Sequence, residues 1–366
     1  MTNNLQKLFP MIRSRDEVLQ DIWENKKSTK TFNQWNEEQQ EEFLDCCTGV
    51  KGMKLLYDSF FKEIMNPENV PERLEEVLSL LLKQKVKILK VLPNDSTRIA
   101  DENSLLIMDI VVEFTDGSIA NVEMQKISYA FPGQRGACYS ADLLLRQYKR
   151  LKSKKKKKFS YRDIKKVYTI VFFETSSKEF HRFPNDYIHY FCPTSDTGLK
   201  LNLLQEFFFI PLDIFRNIRQ NKGTSNRLEA WLTFLGEDDP EEIIKLLEVY
   251  PDFKELYQDV YRMCRNTEKV MEMFSEELKI LDQNTVAYMV DEMQEEIDGL
   301  KKQVAEYQKA MDEHQKIMDE SQKAMDEYKK AMDEYKKIMD ENQKVMAEKD
   351  AEIASLQRLL SEASAK

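Results

Sequence analysis

Two acidic residues and one amide near the middle of the chain are the side chains best placed to do chemistry together. The runs 105–114 (LLIMDIVVEF) and 118–125 (SIANVEMQ) read as strands, and Thr115-Asp116-Gly117 between them reads as a hairpin turn. Strand alternation puts Leu105, Ile107, Asp109, Val111 and Glu113 on one face, and Asn121, Glu123 and Gln125 on one face of the second strand. A three-residue turn sets Asp109 directly opposite Glu123, with Cβ atoms about 4.5–5.5 Å apart. Like charges so placed destabilise a hairpin unless something positive lies between them. A divalent cation such as Mg²⁺, which prefers hard oxygen ligands, is the natural occupant. Gln125 points to the same side and can orient a water or a phosphate. Glu113, opposite Ile119 and nearer the turn, is peripheral. The plain alternative is a solvent-facing strand with ordinary surface carboxylates. A one-residue slip would send the two acids to opposite faces.

The elements that must position these residues are legible on either side. Leu74, Val77, Leu78 and Leu81 share one helical face after Pro71, which suits a first helical turn. A β-like run, Val86 to Leu92, follows and ends at Pro93. Beyond the hairpin, residues 134–151 form a long helix. Its apolar side is expected to be Cys138, Ala141, Leu144, Leu145, Tyr148 and Leu151, and its other side carries Arg135, Tyr139, Asp142 and Arg146. Val167 to Phe173 is a continuous apolar strand, as for one covered on both faces. Phe207 to Leu212 is another strand. The order is helix, strand, strand, strand, helix, strand. Residues 1–65 read as helical with Trp23, Trp35, Phe43 and Leu44 as buried anchors. Ser225 to about Asp282 is helical again, with Asp239-Pro240-Glu241-Glu242 as a capping box.

The last quarter repeats. Met311, Met318, Met325, Met332, Met339 and Met346 recur every seven residues in units such as A-M-D-E-Y-K-K. Extended, the a positions run from Ile297 to Leu360. The d positions include Leu300, Tyr307, Tyr328 and Tyr335 but also His314, Ser321, Asn342 and Lys349. A seven-residue period favours a left-handed coiled coil, and the polar d residues make its seam weak; a solvated single helix is the alternative. The expected domains are 1–65 helical, 66–215 the mixed α/β core, 216–290 helical, and 291–366 the heptad tail.

Composition narrows the class. The net charge is −10, and 291–366 holds 20 acidic against 13 basic side chains. Arg146 to Lys166 carries 12 basic residues against Asp163 alone, so a polyanionic partner is compatible with the acidic total. Five Cys, with Cys46 and Cys47 adjacent, make no disulfide framework, and reduced thiols are expected. No run approaches 18 apolar residues, and no secretory signal opens the chain. The expectation is an intracellular protein without a membrane partner. His181 and His189 have no ligand spacing for zinc, and no ATP-binding G-x-x-x-x-G-K-[ST] is present.

Asp109 and Glu123-Met124-Gln125, within that order of elements, resemble the PD-(D/E)XK nuclease superfamily. The strings FLDCCTGVKGMKLLYDSFFKEIMNPENVPERLEEVL, SLLIMDIVVEFTDGSIANVEMQK, FPGQRGACYSADLLLRQY, IKKVYTIVFFE and SDTGLKLNLLQ are similar to its bacterial branch of PD-(D/E)XK nuclease family transposases, related to recombination-promoting nucleases. The resemblance covers roughly residues 10 to 298. It implies an α/β, restriction-endonuclease-like αβββαβ core and hydrolysis of DNA phosphodiesters with Mg²⁺ or Mn²⁺, in the cytoplasm of a bacterium. The family's acidic pair falls on Asp109 and Glu123, and its third position on Gln125, where superfamily members usually have Lys. An acid from the first core helix often completes such sites; Glu75 is the candidate and Asp58 the second. Arg135 and Tyr139, one turn apart, are candidates for phosphate contact. Lys154, Lys155, Lys156, Lys157 and Lys158, with Lys152, form a run that beside such a site would meet DNA phosphate. The heptad tail would pair two copies into a homodimer. A protein that keeps the fold but has lost cleavage, binding DNA or itself, is the competing reading.

Overall fold

The computed structural model describes residues 4–92, 109–127 and 132–363. Residues 105–108, the expected start of the first hairpin strand, lie outside them. Among the described residues, helices α1 (Asn4–Leu8), α2 (Arg15–Glu24), α3 (Lys26–Phe32), α4 (Glu37–Thr48), α5 (Asp58–Ile64) and α6 (Pro71–Leu82) precede the sheet. Pro71 opens α6, and Leu74, Val77, Leu78 and Leu81 are buried, as their spacing requires. Strands β1 (Ile88–Leu92), β2 (Ile110–Phe114) and β3 (Ile119–Ile127) follow, then helix α7 (Pro132–Lys155) and strand β4 (Val167–Thr175). Strands β5 (His189–Phe191) and β6 (Gln205–Pro211) complete a six-stranded sheet of order β1-β2-β3-β4-β6-β5. Helices α8 (Leu212–Lys222), α9 (Arg227–Gly236), α10 (Pro240–Val249), α11 (Phe253–Met263) and α12 (Thr267–Ala363) end the chain.

The β1-β2-β3 meander is antiparallel, and β3, β4 and β6 are parallel. Ile110 pairs with Val122, Val111 with Asn121 and Glu113 with Ile119, the register that the hairpin spacing predicts. One sheet face carries Val112, Ala120, Val122, Met124, Ile170 and Phe172 into a core that also holds Leu5, Phe43, Trp231 and Phe274. The helical stretches before and after the sheet therefore share one core. The chain divides at Glu292, with Met1–Glu292 one unit and Met293–Lys366, the heptad tail, another. The tail residues with described side chains are exposed, Met311 and Tyr307 among them. No helix among the described residues is long and apolar enough to cross a membrane.

Two expectations about burial are corrected. Trp23 is 51% exposed; its ring edges Phe32, which with Trp35 and Phe43 takes the buried positions instead. In α7 the buried face is rotated from the expected one, with Leu144, Tyr148 and Leu151 left half-buried at its edge. Tyr139, Asp142, Leu143 and Gln147 are buried, whereas Cys138, Ala141 and Leu145 are exposed. The cause is the sheet beneath: it presents Asp109, Glu113 and Glu123, and buried charges need partners. Arg150 meets Glu113 of β2 at 2.7 Å, Arg146 pairs with Asp142 within α7 itself, and Tyr139 and Leu143 pack on Val111, Ile119 and Val167. That packing and the Arg150–Glu113 pair outweigh the modest apolar area of Cys, Ala and a single Leu. Strand β5 has no clear counterpart in the sequence pattern; His189 at its start packs against Phe180 and Phe183, the packing role its neighbours suggest.

Candidate active site

The hairpin register carries Asp109, just before β2, to the position opposite Glu123 on β3. Both acids are buried, at 8% and 3% exposure. The Met124 amide donates to Asp109 Oδ2 at 2.7 Å, so the carboxylate closes the ladder where β2 begins. Its Oδ1 lies 2.9 Å from Lys62 Nζ, delivered by α5. Glu123 Oε1 accepts from Asn121 Nδ2 at 2.9 Å and from the Asp109 amide at 3.3 Å. Asn121, Glu123 and Gln125 therefore work as one face, and the first of them orients the second. Burial pushes the Glu123 carboxyl well above the usual carboxylate range, and the facing Asp109 charge adds to the rise. Asn121 and Arg135 act the other way.

Gln125 is 7% exposed, and its Oε1 is buried with no hydrogen-bond partner among the described residues. An orphaned carbonyl oxygen beside two carboxylates is a hard-oxygen donor set, which fits Mg²⁺ or Mn²⁺. Among the described residues no group of three His, Cys, Asp or Glu side chains is placed to hold a metal. Glu75 is spent elsewhere: its carboxylate accepts the Ile88 amide at 2.8 Å and starts β1. Asp58, the second candidate, is the first residue of α5. Lys126 lies on the opposite sheet face, as alternation demands, with its Nζ 3.9 Å from the Tyr57 ring centroid.

Above the acids, α7 presents Arg135 and Tyr139. Tyr139 is wholly buried, and its hydroxyl accepts from Arg135 Nε at 2.8 Å. Burial and the neighbouring Glu123 raise the Tyr139 phenol, so it stays protonated. Tyr139, having no exposed surface, is corrected from a phosphate contact to the partner of Arg135, whose charge acts on Glu123. The lysine run is not beside the acids. Lys154 and Lys155 end α7, and Lys156–Lys158 form a 3₁₀ turn. At 1.5 Å per residue they lie about 30 Å along α7 from Arg135.

Sequence reasoning missed Lys62. It sits 47 positions before Asp109 on a separate helix, and no spacing rule links the two. Its one local signal is a lysine among Phe60, Phe61 and Ile64, the buried residues of a short helix.

No curated protein and no solved structure matches the chain. The model of the PD-(D/E)XK nuclease family transposases matches residues 55–292, which takes in α5 with Lys62, the hairpin with both acids, and all of α7. With more than half of the chain inside that match, the protein belongs to the PD-(D/E)XK nuclease family transposases.

Proposed function

We propose that the protein is a Mg²⁺- or Mn²⁺-dependent DNA endonuclease that hydrolyses phosphodiester bonds in recombination or in transposition of a mobile element, in the bacterial cytoplasm. The carrying observation is the buried, opposed pair Asp109 and Glu123 with the orphaned Gln125 carbonyl on the same face. The run α6-β1-β2-β3-α7-β4 is read as the αβββαβ nuclease core. Asp109 and Glu123 would hold the cation, which when bound supplies an activated water and neutralises charge on the attacked phosphate. Gln125 orients water or a phosphate oxygen through its amide. Arg135, kept in place by Tyr139, donates to the phosphate. Nicking of supercoiled plasmid by the purified protein with Mg²⁺, against EDTA, tests the reading; no metal-dependent nicking would reject it.

The second reading, a chain that binds DNA or itself without cutting, is favoured by Gln125 standing where a lysine is usual. Gln125→Lys separates the two views. If Gln125 only orients water or substrate, the variant should cleave as well as or better than the parent, because a cation returns to the developing charge. A folded variant with cleavage lost would show that the neutral amide is required.

The tail is read as a homodimer-forming coiled coil. Its a positions are apolar from Ile297 to Leu360, and Met332 and Ile338 remain more than half exposed in the single chain. Met at a specifies poorly, and His314, Ser321, Asn342 and Lys349 interrupt d, so association should be modest. Sedimentation should show a dimer for the full chain at micromolar concentration and a monomer for a chain ending near Asp291. Two monomers would leave the tail a single helix.

A further inference from the structure

We propose that Lys62 is the basic residue of this active site, supplying from α5 the positive charge that Gln125 cannot supply from β3; the inference rests on the nuclease reading above. Its Nζ lies 2.9 Å from Asp109 Oδ1, with the Asp109 side chain 5% exposed and that of Lys62 34% exposed. The head group reaches a buried carboxylate from a position that solvent and substrate can still enter.

Other cations near the hairpin are accounted for. Lys126 is on the far face, over Tyr57. Arg135 is held by the Tyr139 hydroxyl above Glu123. Lys90 and Arg150 pair with Glu113, toward the turn. Among the described lysines, Lys62 is the one that stands within ion-pair distance of Asp109. Among the described groups that face it are Asp109 on the sheet and Glu277 on α12, whose carboxylate accepts the Ser59 amide at the start of α5.

This placement solves the problem that the opposed acids pose. Without metal, Lys62 neutralises Asp109, so two facing carboxylates can be buried together. A lysine is a compact charge on a flexible four-carbon stem with three donors. Were Asp109 to hold a divalent cation, the Lys62 ammonium would be released from it and, keeping its proton, could donate to a phosphate oxygen. Lys62 and the metal therefore compete for Asp109 in the free protein and act together on bound DNA.

Removing Lys62 should thus have two effects of opposite sign, which a residue that merely supports the fold would not produce. In the full chain, Lys62→Met should bind Mn²⁺ about tenfold more tightly by calorimetry without DNA, the scale of one charge-assisted hydrogen bond removed from the competing state. The same variant should nick plasmid on the order of 10²-fold more slowly at saturating Mn²⁺, and Lys62→Arg should recover part of that loss. Nicking by Lys62→Met at the parental rate, or Mn²⁺ bound more weakly than by the parent, overturns the proposal. If the parent itself does not nick, the nuclease reading fails and the Mn²⁺ titration alone decides the competition at Asp109. Should Lys62→Met not fold, Lys62→Gln, which keeps a donor toward Asp109, should fold and show the same loss of nicking; parental nicking there also overturns the proposal.

Discussion

Glu123→Gln should lower metal-dependent cleavage on the order of 10²- to 10³-fold, the size seen when one preorganised electrostatic group is removed from a reaction centre. It should do so without unfolding the protein. The replacement keeps one oxygen to accept from Asn121 and from the Asp109 amide, the two bonds that seat Glu123. The metal-free variant should also lose less stability with rising pH than the parent. Burial and Asp109 raise the folded Glu123 carboxyl well above its usual range. The favourable, protonated state is then fully present below the unfolded value of about 4.5, and stability is lost as pH rises toward the raised folded value. Melting temperatures at pH 5 and pH 8 check this: the parent should drop further than the variant, and equal drops would refute a raised Glu123. Asp109→Ala should abolish cleavage as well, but at a cost to the fold. Asp109 accepts the Met124 amide and pairs with Lys62, so its loss strands a buried donor and a cation for about 1–3 kcal/mol. The two facing acids are therefore unequal: relief of repulsion favours removing Glu123, while Asp109 also holds β2 to β3. Parental cleavage in either variant would end the assignment of the pair as metal ligands.

Replacing Lys154, Lys155, Lys156, Lys157 and Lys158 with Gln should weaken DNA binding for every sequence and flatten its dependence on salt. The log–log slope should fall by about 0.9 for each phosphate of duplex DNA that the variant no longer neutralises. Lys155 already pairs with Asp163 and should contribute least. Exposed Tyr161, stacked on Tyr148 beside Phe159, gives this end of α7 an aromatic surface next to the charge. The run lies about 30 Å from Arg135 along α7, close to nine base pairs at about 3.4 Å each. A duplex engaging both ends of the helix must be at least that long. The lysine variant should consequently lose affinity for a duplex of about 20 base pairs and little for one of about 6. An unchanged salt slope on the long duplex would reduce the run to a solvated turn.

The hairpin and its acids were written locally. Two strands joined by Thr115-Asp116-Gly117 allow one register that buries Val112, Ala120 and Val122 together, and that register alone puts Asp109 across from Glu123. The same holds for α6, whose Leu spacing needs no partner to be read, and for β4, apolar and buried along most of its length. The heptad of the tail is likewise a property of the sequence, visible without any fold. What the sequence could not reveal depended on charges meeting across long chain separations. Helix α7 buries Tyr139, Asp142 and Leu143 from a side that its apolar pattern did not mark, because Val111, Ile119 and Val167 of the sheet pack there and Glu113 on β2 takes Arg150. Glu75, well placed on its helix, is consumed by an amide of β1, and Lys62 reaches Asp109 from a helix no spacing rule connects to it. Apolar periodicity is set by neighbours three or four residues away, whereas a buried charge takes whatever partner the folded chain brings within about 3 Å. The placement of the acids therefore belonged to the sequence, and the choice of their cations belonged to the tertiary structure.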